Sequence, residues 1–140
     1  MNISGLYDEV RVASGDFGVY EDGVLVSNTY KYSDALIKAI IRNALYEFSE
    51  YELNSDTISP DLSGNTRAAV VYLSAYLLIA PELDGGMIKA GDNTVQMNPK
   101  KMQLSMILDQ LERFKNDDEI PWASSGSSVW MRDLNYLEEE

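Results

Sequence analysis

The chain has 140 residues, enough for one domain with a core of its own and no need of metal or disulfide staples. Its 11 Lys and Arg stand against 23 Asp and Glu, a net charge of −12, which argues against gripping a phosphate backbone or an anionic lipid surface, since both need clustered cations. There is no Cys and no His, which removes disulfides, thiol nucleophiles, the usual zinc sites and every His-dependent triad.

Hydrophobic residues make up 45% of the chain, so it folds rather than staying disordered. The first twenty residues hold no basic flank followed by an apolar core, so no signal peptide is expected, and the setting reads as cytosolic or intracellular. Residues 4–14 form a short helix: Ser4 caps it, Asp8 and Glu9 lie early, Leu6, Val10 and Ala13 share a face, and Gly15 closes it in the left-handed conformation. A strand through Glu9-Val10-Arg11-Val12 is the competing reading. Asp22-Gly23 between Val19-Tyr20 and Val24-Leu25-Val26 predicts a β-hairpin, because both central positions tolerate positive φ. An isolated hairpin is marginal alone, so this one must lean on the bundle or on another copy.

Ser33 caps an amphipathic helix running from 33 to about 51, with Leu36, Ile37, Ile40, Ile41, Ala44, Leu45 and Phe48 on one face. A polar connection over 53–59 follows, and Ser59-Pro60-Asp61 reads as a cap with Pro at the first helical position. The stretch 68–80 holds no charge, and Ser74 is its one small polar residue. A segment apolar all round must be covered all round, so it is the buried central helix, beginning at 60 or near 65 and stopping before Pro81. At about 1.5 Å per residue it spans roughly 20 Å, short of the ~30 Å of a bilayer core. Asp84-Gly85-Gly86 is a turn, 87–97 a second small hairpin or a packed loop, and Asn98-Pro99 opens a last helix with Met102, Leu104, Ile107, Leu108, Leu111 and Phe114, ending near 116.

Beyond it, Ser124-Ser125-Gly126-Ser127-Ser128 reads as a flexible spacer. Val129, Trp130, Met131, Leu134, Tyr136 and Leu137 follow, and aromatics and Met are enriched in interface cores. This segment either folds back on its own bundle or inserts into another chain. Tyr72 and Tyr76, one turn apart, read as core tyrosines rather than a binding ledge, and Met97, Met102 and Met106 as adaptable core filler. The acidic pairs lack an apolar frame that would tune them for catalysis, Gly91-Asp92-Asn93 lacks the ligand pattern of a calcium loop, and no nucleotide or hydrolase motif occurs. The fold expected is therefore mainly α: a small helical bundle around one buried central helix, with a short β-hairpin and an extended C-terminal tail. No enzyme activity and no cofactor are expected.

Several of these stretches carry a family resemblance. Val10-Arg11, Gly15-Asp16 and Tyr32-Ser33-Asp34-Ala35-Leu36-Ile37 opening a helix through Ala44-Leu45, then an alanine-rich long helix, Ile88-Lys89-Ala90-Gly91-Asp92-Asn93-Thr94-Val95 and a last helix from Pro99, together resemble tailed-bacteriophage head–tail connector (adaptor) proteins. The likeness covers roughly 6–114 and lies in spacing and element order. The hairpin at Asp22-Gly23 lengthens the family's usual short connection before Tyr-Ser-Asp. The resemblance implies a structural virion protein of the neck, made in the host cytoplasm. It would assemble as a homo-oligomeric ring, commonly of twelve copies, beneath the portal protein and above a downstream tail or neck protein. Genomic DNA would pass through its channel without specific binding, and no membrane would be involved. On this reading 1–116 is the helical connector domain, with the hairpin near 19–26, and 117–140 is a linker and docking tail that presents Val129, Trp130, Met131, Leu134, Tyr136 and Leu137 to the portal. The alternative is an acidic inhibitor or DNA mimic that binds a basic protein surface, which the −12 charge favours and the apolar tail does not.

Overall fold

A computed structural model describes residues 1–27, 29–83 and 99–123. In chain order the elements are a 3₁₀ turn Ile3–Leu6, α1 Tyr7–Ser14, β1 Tyr20–Glu21, β2 Val24–Leu25, α2 Asp34–Leu45, β3 Glu52–Asn54, β4 Thr57–Ser59, α3 Gly64–Leu83 and α4 Pro99–Phe114. The fold is mainly helical, as the sequence pattern indicates, with α1, α2 and α4 each packed on α3.

The uncharged stretch 68–80 of α3 is covered around its circumference. Ala69, Val70, Val71, Leu73, Ala75, Tyr76, Leu78 and Ile79 are all buried. Ser74 is buried too, and its hydroxyl donates to the Val70 carbonyl one turn back at 2.7 Å, which removes the cost of an unpaired polar group. Leu6 and Val10 of the N-terminal segment, Ile37, Ile41 and Ala44 of α2, and Leu104, Ile107, Leu108 and Leu111 of α4 complete one continuous core. The small side chains of Ala69 and Ala75, both fully buried, let neighbouring elements approach the α3 backbone closely. Tyr76 is buried and Tyr72 half-buried, so this pair belongs to the core.

Local chemistry sets several boundaries away from where the sequence pattern places them. Asn2, not Ser4, caps the first turn: its side chain accepts from the Ser4 amide at 2.9 Å. Ser33 does cap α2, accepting from the Leu36 amide, but α2 ends at Leu45 rather than near 51. There the bonding tightens to three-residue steps, Glu47 N to Ala44 O and Phe48 N to Leu45 O, and this turn delivers Phe48 to the core.

Residues 53–59 are not a plain connection. β3 and β4 pair antiparallel, with Leu53 opposite Ile58, around a turn in which Ser55 takes φ 56°. Ile58 is fully buried. The N-terminal segment extends this sheet, with Ile3 N donating to Asp56 O and Ile58 N to Met1 O, both at 2.8 Å. Ser59 is thereby committed to β4 opposite Glu52, and of the two expected starts α3 takes the later one, at Gly64 rather than Pro60. Nor does α3 stop before Pro81. The helix runs to Leu83 with Pro81 in its last turn, where only one backbone donor is forfeited. Met102 and Met106 are 46% and 62% exposed and therefore lie outside the core that was expected to hold them. The hairpin or loop expected over 87–97, Met97 included, lies outside the described residues.

Candidate interaction surfaces

Two features of the fold present chain to possible partners. The first is an arm spanning 16–31. It leaves the body at the left-handed Gly15, whose conformation lets the Gly15 and Asp16 amides return to the Val12 and Arg11 carbonyls. At its tip β1 and β2 pair Tyr20 with Leu25 and Glu21 with Val24, and Asp22 and Gly23 take φ 52° and 80°, the turn that the Asp-Gly signal foretells. Phe17, Val19, Tyr20 and Val24 are all more than half exposed, Val24 reaching 68%. A two-stranded hairpin with this much apolar surface in water has little to stabilise it locally.

What stabilises it is a buried charge cluster at its base. Asp16 is 6% exposed, and its carboxylate accepts from the Lys31 amide at 2.7 Å and the Tyr32 amide at 3.0 Å, stitching the start of the arm to its end. Arg11, 5% exposed, donates from Nη2 to the Tyr32 carbonyl at 3.0 Å and to Asp34 Oδ1 at 2.7 Å. Its guanidinium lies 4.1 Å over the Tyr30 ring, the geometry of a cation–π contact. Arg11 Nε sits 3.7 Å from Asp16 Oδ2, too far for a hydrogen bond but close enough to neutralise both charges. The Tyr20 phenol of β1, beside Tyr30, holds the Tyr30 pKa above the usual value. Arg11 thus connects α1, the arm and the first turn of α2. Gly18 is also required here: at φ +70°, an added Cβ would come within 2.7 Å of Leu25 Cδ1. Of this clamp the sequence shows only the Gly15-Asp16 step and an arginine inside the apolar stripe of α1.

The second feature is the end of the described chain. After α4 the backbone does not leave the body at 117. Ile120 is buried, Trp122 stacks on Phe48 with centroids 4.7 Å apart, and Trp122 Nε1 donates to the Phe114 carbonyl at 2.9 Å. Ser49 N donates to Pro121 O at 2.8 Å and Ala123 N to Glu47 O at 2.7 Å. Residues 124–140 therefore begin from a fixed place beside the turn that follows α2. Val129, Trp130, Met131, Leu134, Tyr136 and Leu137 lie outside the described residues.

Among the described residues no group of three or more acidic side chains is arranged to hold a metal ion, and no helix is long and apolar enough to cross a membrane. Comparison with protein-family models, with curated proteins and with solved structures returns no match.

Proposed function

We propose that this chain is a structural virion protein, a head–tail connector that assembles as a ring beneath the portal, extends the DNA channel and joins capsid to tail. The observation that carries the reading is the pinned start of the C-terminal segment: Trp122 on Phe48 and Ala123 on Glu47 fix where residues 124–140 begin. A segment with Val129, Trp130, Met131, Leu134, Tyr136 and Leu137 behind a Ser/Gly spacer can then search a limited volume for an apolar groove on the portal. The exposed apolar arm supplies a second contact surface, as side-to-side assembly requires. The charge of −12 suits a channel wall along which DNA slides without adhering.

Deleting residues 124–140 tests this directly. The truncated chain keeps its helical circular dichroism and its melting transition but no longer co-sediments with the portal ring. Undiminished co-sedimentation of the truncated chain overturns the docking role. The −12 charge also favours an acidic inhibitor of a basic protein. That reading requires partner binding to collapse at moderate salt, whereas apolar docking persists.

A further inference from the structure

We propose that the arm of one copy lies along the outer face of α2 of a second copy, which makes the ring contact head-to-tail. The inference rests on the ring reading above and specifies its interface. The outer face of α2 and the carboxylates at the tip of the arm, neither of which entered that reading, carry it.

The outer face of α2 is built to receive something. Ala35, Leu36, Ala39, Arg42, Asn43 and Tyr46 are exposed, and Tyr46 is 74% so. From Ala35 to Tyr46 there is no acidic residue, in a chain with 23 of them. Lys38 on this helix is paired with Asp56, but Arg42 has no ion pair among the described residues. The result is an apolar stripe of Leu36, Ala39 and Tyr46 with one uncompensated cation near its middle, on a strongly acidic protein.

The arm has the opposite make-up. Val19 and Val24, which the Glu21–Val24 and Val19–Val26 pairing puts on one face of the hairpin, supply exposed apolar surface, while Glu21 and Asp22 put two exposed carboxylates at the tip with no ion pair among the described residues. Docked on α2 of a neighbour, the arm buries Val19 and Val24 against Leu36, Ala39 and Tyr46 and brings Glu21 and Asp22 to Arg42. The charge match orients the contact, and the apolar burial supplies most of its strength. Arm and helix face are different patches of one chain, so the contact is heterologous and closes into a ring when the rotation between copies allows. The buried Arg11–Asp16 cluster has a role here, because an arm held rigid before docking loses less entropy on binding.

The absence of cysteine makes the test clean. Two full-length single-cysteine proteins, Val24→Cys and Ala39→Cys, are mixed, with and without the portal ring, sized by sedimentation and oxidised gently. A held contact gives a covalent heterodimer forming about tenfold faster than either protein's homodimer, through its high effective concentration. Adding Arg42→Glu to the Ala39→Cys protein removes that excess, and adding Glu21→Lys and Asp22→Lys to the Val24→Cys protein restores it. Oligomers that give no heterodimer excess overturn the arm contact while leaving the ring reading standing. Monomers alone, with the portal present as without, overturn both.

Discussion

Trp122 lies on Phe48 with ring centroids 4.7 Å apart and planes inclined by 24°, and this stack joins the end of the described chain to the turn after α2. Phe48 is itself buried and meets Tyr51 edge-on, so the stack continues into the core. The finding accounts for why an acidic, polar stretch such as Asp117-Asp118-Glu119 does not release the chain: Ile120 and Trp122 bring it back immediately. Trp122→Ala removes the stack and the Nε1 bond to Phe114, at a cost of roughly 2 kcal/mol for a half-buried aromatic. Urea unfolding measures that loss. Hydrogen exchange at Ala123 and Ser49 should accelerate more than exchange in α3. A variant as stable as the parent contradicts the anchoring.

Arg11 and Asp16 form a second joint of different chemistry. Asp16→Ala leaves a buried guanidinium with only Asp34, 71% exposed, as its acid, and strips two backbone amides of their acceptor. Breaking a buried pair from one side costs about 3 kcal/mol or more. Denaturant unfolding of Asp16→Ala therefore shows a loss of that size, and a loss below about 1 kcal/mol rules the clamp out as a structural joint.

Most of the elements can be read in the sequence because short-range chemistry decides them. Ser33 before an apolar stripe specifies the start of α2, Asp22-Gly23 specifies the hairpin, and Gly15 specifies the end of α1. The uncharged run 68–80 specifies the buried centre in the same way. What is illegible depends on distant partners. β3 and β4 turn on Asn54-Ser55-Asp56, without glycine, and Ser55 takes positive φ because the Leu53–Ile58 pairing and the Met1–Ile3 backbone hold the sheet around it. Ser59-Pro60 carries a helix-start signature, but Ser59 pairs in β4 and α3 takes the later start at Gly64. Met102 and Met106 sit at helical spacing, yet α4 turns them to solvent, with Gln103 between them bonded to the Ala13 carbonyl. The clamp is hidden because Arg11 meets Asp16, Tyr30 and Asp34 only once the arm has folded back.

Gly18 provides a local test of the arm. Alanine there is strained at φ +70° and its Cβ meets Leu25 Cδ1 at 2.7 Å. Gly18→Ala should cost about 1–2 kcal/mol locally. Its signature is faster exchange of the Val26 amide, bonded to Val19 in the parent, with protection in α3 unchanged. Equal exchange at Val26 in parent and variant contradicts the tight packing at the arm base.

Glu47 gives the pH dependence. Burial raises its carboxyl pKa above the usual value, so the folded state holds this proton more tightly than the unfolded chain does. The penalty for the buried charge is absent below the unfolded pKa of about 4.3 and is fully felt above the folded pKa. Glu47→Gln should therefore melt at a higher temperature than the parent at neutral pH, and the gap should close as the pH falls below that range. A gap that stays constant with pH contradicts the burial.

Native mass measurement of the full-length chain with the portal ring tests the central claim most directly. A connector gives one discrete complex, with a fixed number of copies per portal that survives raised salt, and the expected number is the twelve that the family likeness implies. A chain that stays monomeric beside an intact portal, or that dissociates from it as salt rises, contradicts the account.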